Sequence, residues 1–280
     1  MNIEKAEKLG LCFGIRRAIK LLKEAASKYG EIETLGHVAH NRLLVEALAN
    51  TGIKPINHLD QAQGKILAIT THGTSPAVLS ELKFHRIHII DTTCPIVRKA
   101  QNTAKELAEA GFDIIIFGEA EHSEVKGLLG WAGGKGIAAL NMKQIDGLEK
   151  SSPRLGIISQ TTQTRPAFIE FVRQLVGIVG PKTKEIRLVN TLCPVTQGHQ
   201  EAAMRLARGS QLMLVIGGCN SANARHLVKI CSPLVETHLI ETADEVDNSW
   251  FLGKRHVGIT AGASTPDEAV EELVTKLKSL

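Results

Sequence analysis

Three copies of one short pattern run through the 280 residues of this chain. The segment DTTCP at 91–95 matches NTLCP at 190–194, and each follows a β-branched run and opens a helical stretch. A glycine lies 24 residues after each of the first three cysteines, and a histidine or serine follows four residues later. The equivalent sets are Cys12, Gly36 and His40, then Cys94, Gly118 and His122, and finally Cys193, Gly217 and Ser221. Such a repeat predicts one supersecondary unit used three times, because one small unit cannot bury its apolar face alone.

A second strand–loop–helix unit also occurs three times. It reads KILAITTHGTSP, RLGIISQTTQTRP and HVGITAGASTP, with an apolar strand, a loop of small and hydroxyl residues, and a proline suited to the first turn of a helix. Strands that alternate with helices favour parallel sheets. We therefore predict an α/β trefoil of three pseudo-threefold-related lobes with mainly parallel sheets, fused into one globule. The predicted lobes are residues 1–93, 94–192 and 193–280, and the N-terminal strand is free to pair with the third lobe.

Composition argues against several classes of protein. Lys and Arg total 33 against 29 acidic residues, and the aromatic residues are seven Phe, two Trp and one Tyr. This mild charge and the scarcity of stacking side chains disfavour a nucleic-acid partner. No apolar run reaches the ~20 residues of a membrane span, and the first residues lack the apolar stretch of a signal peptide. We expect a cytoplasmic protein with no membrane partner.

The five cysteines divide into two groups. Their odd number and wide spacing indicate reduced thiols rather than a disulfide scaffold. Cys12, Cys94 and Cys193 hold equivalent positions in the repeat, so strand ends that face one axis bring them together. Three converging thiolates suit a metal or an iron–sulfur cluster, and three ligands leave one iron of a four-iron cluster open. Cys219 and Cys231 fall outside the pattern and are expected to serve packing, which is also the alternative for the other three.

Polar residues follow the predicted strands in loops that face the same axis. Helix N-termini at the carboxyl ends of parallel strands offer free N–H groups and a positive partial charge. Imidazoles, hydroxyls and an amide in this setting favour a phosphate or diphosphate ligand, although hydroxyls and amides also cap helices. The residues concerned are His40, His72, His122, Thr161, Thr162, Ser221, Asn223 and Ser264.

A carboxylate lies next to one of these histidines. Glu124 comes two residues after His122 in the segment EHSEV. Beside a cluster and an anionic ligand it can deliver protons, so Glu124 is a candidate catalytic acid. His122 and Thr161 are the other candidate catalytic residues. A first-turn glutamate that stabilises the helix dipole is the competing explanation. Thr161 is a candidate for aligning a water or a substrate hydroxyl, and helix capping is its alternative.

Nine segments, in this order, resemble the IspH (LytB) family of 4-hydroxy-3-methylbut-2-enyl diphosphate reductases. They read GLCFGIRRAI, HVAHN, THGTS, DTTCP, EHSEVKG, SQTT, NTLCP, CNSANARHL and TAGAST, and they span about residues 10–267. The resemblance implies a trefoil around a [4Fe–4S] cluster held by Cys12, Cys94 and Cys193, with one iron lacking a protein ligand. The implied diphosphate-binding residues are His40, His72, His122, Ser221, Asn223 and Ser264. The resemblance also implies a proton relay through Glu124, with Thr161 and Thr162 near the substrate.

The reaction implied by this resemblance is the last step of the non-mevalonate isoprenoid route. Two electrons and two protons remove the allylic hydroxyl of (E)-4-hydroxy-3-methylbut-2-enyl diphosphate as water. The products are isopentenyl and dimethylallyl diphosphate. A ferredoxin or flavodoxin is the implied donor of single electrons.

Three positions depart from the family pattern. Ala222 stands where a second consecutive serine is usual, Glu119 where histidine is frequent, and the run at 194–199 lacks the usual arginine before its glutamine. Loss of the hydroxyl at position 222 is expected to cost ~1.5–3 kcal/mol of binding free energy unless a water or a neighbour substitutes. Two alternatives stay open at this point. One is a diphosphate-binding [4Fe–4S] protein without turnover, and the other is an iron–sulfur enzyme of the quinolinate-synthase type.

Overall fold

The computed structural model describes residues 1–145 and 153–279, which contain twelve strands and nine α-helices. The strands are β1 (Asn2–Lys5), β2 (Ile32–Leu35), β3 (Ile53–Ile56), β4 (Ile66–Ile69), β5 (His88–Asp91), β6 (Asp113–Phe117), β7 (Gly136–Ala139), β8 (Arg154–Ser159), β9 (Glu185–Leu188), β10 (Leu212–Ile216), β11 (Thr237–Ile240) and β12 (His256–Ala261). The helices are α1 (Phe13–Tyr29), α2 (Arg42–Ala49), α3 (Pro76–Phe84), α4 (Pro95–Glu109), α5 (Ser123–Trp131), α6 (Arg165–Val179), α7 (Pro194–Ala207), α8 (Ala222–Cys231) and α9 (Asp267–Lys278).

These strands form three four-stranded sheets in which every pairing is parallel. The strand orders are β3–β2–β4–β5, β7–β6–β8–β9 and β1–β12–β10–β11. The predicted α/β class with parallel sheets is confirmed. β1 joins the sheet of the C-terminal segments, where Asn2 lies opposite His256. The predicted division into lobes at 93/94 and 192/193 stays a prediction.

The helices cover both faces of each sheet in the same way three times. Two helices pack on one face of each sheet, and a third helix packs on the other face. The pairs are α1 and α2, α4 and α5, and α7 and α8, and the helices on the opposite faces are α3, α6 and α9. Strands buried on both faces are continuous apolar runs, and β10, which reads LMLVI, is buried at every position. None of the helices within 1–145 and 153–279 is long and apolar enough to cross a membrane.

Backbone hydrogen bonds extend one parallel strand pair of each sheet as far as a repeat cysteine. The N–H group of each cysteine donates to a carbonyl just beyond the carboxyl end of the strand that pairs with the one preceding the cysteine. The pairs are Cys12 to Ala263 at 3.0 Å, Cys94 to Thr71 at 3.1 Å and Cys193 to Thr161 at 2.8 Å. The acceptors follow β12, β4 and β8 in the sheet that each cysteine leaves, and the helix that begins after the cysteine packs on the next sheet. Each cysteine therefore lies where two sheets meet at their carboxyl edges. This is the edge at which ligands bind in α/β folds.

Candidate functional site

The three sheets surround a cleft with an empty volume of about 710 Å³. All twelve residues that the sequence singled out line it. They are Cys12, His40, His72, Cys94, His122, Glu124, Thr161, Thr162, Cys193, Ser221, Asn223 and Ser264. Residues up to about 250 positions apart in sequence therefore meet in one site.

Each repeat cysteine is the residue that immediately precedes a helix. Cys12, Cys94 and Cys193 are the N-caps of α1, α4 and α7, and none of them caps its helix through a side-chain hydrogen bond. Their sulfur atoms are therefore free for another partner. The first turns of the three helices contain no acidic residue, so nothing there offsets the positive N-terminal ends that face the thiols.

The thiols are close to one another and partly withdrawn from water. A Cβ atom added to Gly14 would lie 2.8 Å from the Sγ of Cys94 and 3.8 Å from the Sγ of Cys12. Burial raises the pKa of Cys12 and of Cys94, and the neighbouring thiols raise it further. Backbone N–H groups of the following helix turn act in the opposite direction and lower the pKa of each.

The three histidines form a second cluster in the same cleft. Ring centroids of His40 and His72 are 4.9 Å apart, and each is 5.4 Å from that of His122. One ring nitrogen from each gathers within 4.8 Å of the others. Burial lowers the pKa of His40, holds that of His72 well below its ordinary value, and lowers that of His122 to about 4. All three imidazoles are therefore neutral at pH 7 in the free protein.

One of these rings has a defined orientation. His122 is the N-cap of α5, and its Nδ1 accepts a hydrogen bond from the N–H of Glu124 at 3.2 Å. Because Nδ1 accepts, the neutral ring carries its proton on Nε2. His122 thus remains a hydrogen-bond donor through its other nitrogen.

Glu124 is fully enclosed, with 1% of its surface exposed. One carboxylate oxygen accepts from the N–H of Thr161 at 2.6 Å, and the other accepts from the Thr161 hydroxyl at 2.9 Å. Burial raises the pKa of Glu124 to about 7, although both hydrogen bonds act to lower it. The carboxyl is therefore able to exchange a proton near neutral pH.

Several polar atoms that line the cleft have no hydrogen-bond partner. Asn223 is 5% exposed, and neither its Oδ1 nor its Nδ2 has a hydrogen-bond partner. The Nε2 of His40 is buried and unpartnered as well. Ser221 caps α8 by accepting from the N–H of Ala224 at 3.3 Å. Buried polar groups normally find partners, so these atoms indicate a polar ligand.

Some residues of the cleft were not singled out in the sequence. Thr196 lines it beside Cys193 and donates its hydroxyl to the Cys193 carbonyl at 3.0 Å. Its position three residues after a repeat cysteine, in the first turn of the following helix, could have predicted that it lies close to the cleft. Gly14 was not singled out because its role depends on the thiol of Cys94, which is distant in the sequence.

Outside the cleft, Cys219 and Glu119 differ from what the sequence suggested. Cys231 is buried, as predicted for packing, whereas Cys219 is exposed, so the packing prediction is wrong for Cys219. Cys219 lies in the loop after β10, where its N–H donates to the Glu241 carboxylate. Glu119, which replaces a frequent histidine, pairs with Arg225 of α8 at 2.9 and 3.2 Å and so links two sheets beside the cleft.

Comparison with known proteins places this geometry in a family. The model of the LytB protein family matches residues 3–278. The chain belongs to the LytB family.

Relatives in the LytB family match this chain over its full length. A 4-hydroxy-3-methylbut-2-enyl diphosphate reductase of Dehalococcoides mccartyi strain CBDB1 is 45% identical over 280 residues, which cover 100% of this chain and 99% of that protein. The protein of the same name from Geobacter sulfurreducens is 37% identical, covering 99% of this chain and 97% of its own length.

Two solved structures of reductases are also similar to this chain. One of (E)-4-hydroxy-3-methyl-but-2-enyl diphosphate reductase, described as the terminal enzyme of the non-mevalonate pathway, has 35% identity and a TM-score of 0.73 and covers 100% of both chains. The reductase of Plasmodium falciparum has 25% identity and a TM-score of 0.93 and covers 99% of this chain and 88% of its own.

Proposed function

We propose that this protein is a 4-hydroxy-3-methylbut-2-enyl diphosphate reductase that carries a [4Fe–4S] cluster. One observation carries the proposal: three repeat-equivalent cysteines, three neutral imidazoles and one buried carboxyl line the same cleft. A thiolate set next to an anion site and a proton donor matches a reductive removal of a hydroxyl from a diphosphate ester. The full-length match to the LytB family argues against a quinolinate-synthase-type enzyme.

The residues of this chain fit an iron–sulfur cluster. The donor set is three thiols at three helix N-termini, and thiolates are the usual protein ligands of such clusters. The glycine at position 14 leaves room beside the sulfur of Cys94, where a Cβ atom would lie only 2.8 Å away. When bound to Cys12, Cys94 and Cys193, the cluster would supply single electrons and a Lewis-acidic iron without a protein ligand.

The second part of the site would bind the diphosphate. His122 donates through Nε2, and the unpartnered amide of Asn223 and Nε2 of His40 offer further hydrogen-bonding atoms. The N-terminus of α8 adds free N–H groups and a positive partial charge. His72, Ser221 and Ser264 complete the predicted set, and Thr162 lies beside it. Charge-assisted hydrogen bonds of this kind are stronger than neutral ones.

Glu124 would provide a proton for the departing hydroxyl. Its raised pKa keeps a substantial fraction of the carboxyl protonated at pH 7. The Thr161 hydroxyl lies 2.9 Å from the carboxylate and lines the cleft, so it can accept this proton and donate its own toward the substrate.

The reaction needs an electron donor, and we propose a ferredoxin or flavodoxin. All five cysteines are free thiols, which suits the reducing cytoplasm in which we propose that the protein works.

The test is anaerobic purification followed by measurement of iron, sulfide and conversion of the allylic diphosphate with a strong one-electron reductant. We expect about four irons per chain and both isoprenoid diphosphates as products. Glu124→Gln is expected to retain iron but to lose at least about 100-fold in turnover. Glu106→Gln, on an exposed face of α4, is the control and should keep full turnover. Full turnover in Glu124→Gln would refute the proton role.

One observation favours a second candidate. Ala222 lines the cleft, so one hydroxyl of the family pattern is absent from the diphosphate site. A diphosphate-binding cluster protein without turnover is the resulting alternative. Tight binding of the allylic diphosphate with an intact cluster and no product under strong reductant would establish it.

A further inference from the structure

A different surface lies on the outer side of the three cysteines. The residue after each cysteine is apolar and exposed: Phe13, Pro95 and Pro194. Phe13 is the largest of the three, and 49% of its surface is exposed at the start of α1, although large apolar side chains usually pack inward. The equivalent position in each repeat therefore presents an apolar group to solvent.

These three residues lie directly outside the cleft wall. In each case the preceding cysteine lines the cleft, and so does a residue one or two positions later (Gly14, Ile96 and Thr196), but Phe13, Pro95 and Pro194 do not. At three equivalent points, an exposed apolar residue is therefore the direct sequence neighbour of a cysteine that lines the cleft. No other part of the proposed mechanism uses these three residues.

Basic side chains surround the three apolar residues. Lys8, Arg17 and Lys99 are all exposed, and within the described residues none has a carboxylate within 4.0 Å. Arg17 donates to the carbonyl of Thr93, next to Cys94, at 3.3 Å. Lys8 lies against the first turns of α7, because a Cβ atom on Gly198 would be 3.2 Å from its Cδ.

Two acidic groups near this surface are paired. Asp267 accepts two hydrogen bonds from Arg16 at 2.9 and 3.0 Å, and Asp91 pairs with Arg98. The first turns of α1, α4 and α7 add no carboxylate. Glu201, exposed one turn after Gly198, has no cation within 4.0 Å among the described residues. Three unpaired basic groups against this one carboxylate leave the surface around the apolar residues positive.

We propose that this outer cysteine face, made of Phe13, Pro95 and Pro194 with Lys8, Arg17 and Lys99, is the docking surface for an acidic one-electron carrier protein. The proposal rests on the proposed reductase function. Electron-transfer complexes are small and transient, and opposite charges steer their association. Each docked carrier is oxidised by one electron and leaves. Two such events match the two electrons consumed when the allylic C–O bond breaks and two protons complete water and the new C–H bond.

The test compares a protein donor with a small one. Cluster-loaded protein is assayed with a reduced plant-type [2Fe–2S] ferredoxin and, separately, with reduced methyl viologen, which needs no docking surface. Affinity for the ferredoxin is measured by biolayer interferometry at low and high salt. The test variant carries Lys8→Glu and Lys99→Glu.

A matched control keeps the same change in net charge. Lys65→Glu with Lys184→Glu alters two exposed lysines that precede β4 and β9. They lie at the amino ends of parallel strands, away from the carboxyl edge that carries the cysteines. Any effect of net charge alone appears in both double variants.

We expect the test variant to lose about tenfold or more in ferredoxin affinity at low salt and a similar factor in the ferredoxin-driven rate. Its methyl-viologen-driven rate should stay unchanged, and the control should change less than about twofold. Phe13→Ser, with unchanged iron content, should weaken binding without altering its salt dependence. Equal losses in both double variants, or unchanged affinity in the test variant, would overturn the proposal. So would self-association of the chain through this face in analytical ultracentrifugation.

The experiment distinguishes failure of the proposed reductase function from failure of the proposed docking surface. If the parent protein gives no product with methyl viologen, the reductase function is wrong, and the binding measurement still reports on the surface. If methyl viologen drives turnover but the two double variants bind ferredoxin alike, only the docking surface is wrong.

Discussion

Replacing Glu124 by glutamine removes a fully buried carboxyl from the lining of the cleft. Gln has nearly the same shape, and its carbonyl can accept the N–H of Thr161 while its amide donates to the Thr161 hydroxyl. The two hydrogen bonds at 2.6 and 2.9 Å can therefore be replaced. What changes is the charge, so the variant isolates the cost of ionising a carboxyl in this position.

The size of this cost follows from the pKa. Burial raises the pKa of Glu124 from 4.5 to about 7. The unfolded chain releases the proton near pH 4.5, while the native state keeps it until about pH 7. The free energy of unfolding of the parent protein therefore falls as pH rises through this window, and it stays lower above pH 7. At 1.36 kcal/mol per pH unit, the loss is about 3 kcal/mol.

The assay is anaerobic urea unfolding of both proteins, with matched iron content, between pH 5 and pH 8. We expect the stability of Glu124→Gln minus that of the parent to increase by most of this ~3 kcal/mol across the range. Glu106→Gln, from the exposed face of α4, is the control and should show no such increase. A difference that is constant with pH, or that decreases as pH rises, would refute the assigned environment of Glu124.

Three further predictions test other parts of the site. Gly14→Ala is expected to lose most of its bound iron, because its Cβ would lie 2.8 Å from the Sγ of Cys94. Gly177→Ala in α6, where a Cβ meets no atom within 4 Å, should keep its iron and gain up to about 1 kcal/mol in stability; similar iron in both variants would contradict this. Ala222→Ser restores a hydroxyl to the diphosphate site and should lower KM about tenfold or more, whereas an unchanged KM would show that a water already fills this role. Exposure to air should remove iron and activity together, since one iron of the proposed cluster has no thiolate; an aerobic sample that stays fully active for days would contradict it.

Much of the site was predictable because the sequence repeats. Equivalent cysteines at positions 12, 94 and 193 predicted convergence on one axis, and the structure lines one cleft with them. The loops of the second repeated unit likewise predicted the positions of His72, Thr161 and Ser264. Local sequence suffices for such predictions because the carboxyl end of a parallel strand fixes where its following loop lies.

Other features needed the assembled molecule. No sequence pattern indicated that Glu119 would pair with Arg225. Glu119 follows β6, whereas Arg225 lies in α8, which packs on a different sheet. The exposure of Cys219 depends on its loop rather than on its residue type. The sequence also left open whether Glu124 serves the dipole of its helix or the chemistry of the cleft.

The sequence by itself determined the repeat, the parallel α/β class, and which side chains follow which strands. These properties depend on hydrophobic period and on residue type, and both are local. Only the tertiary structure decided the ionisation of the site, because a pKa depends on how many neighbours exclude water. Glu124 titrates near 7 and His122 near 4 because three sheets close around them. The same closure leaves Phe13 on the outer side of the cysteines and places the thiols on the inner side.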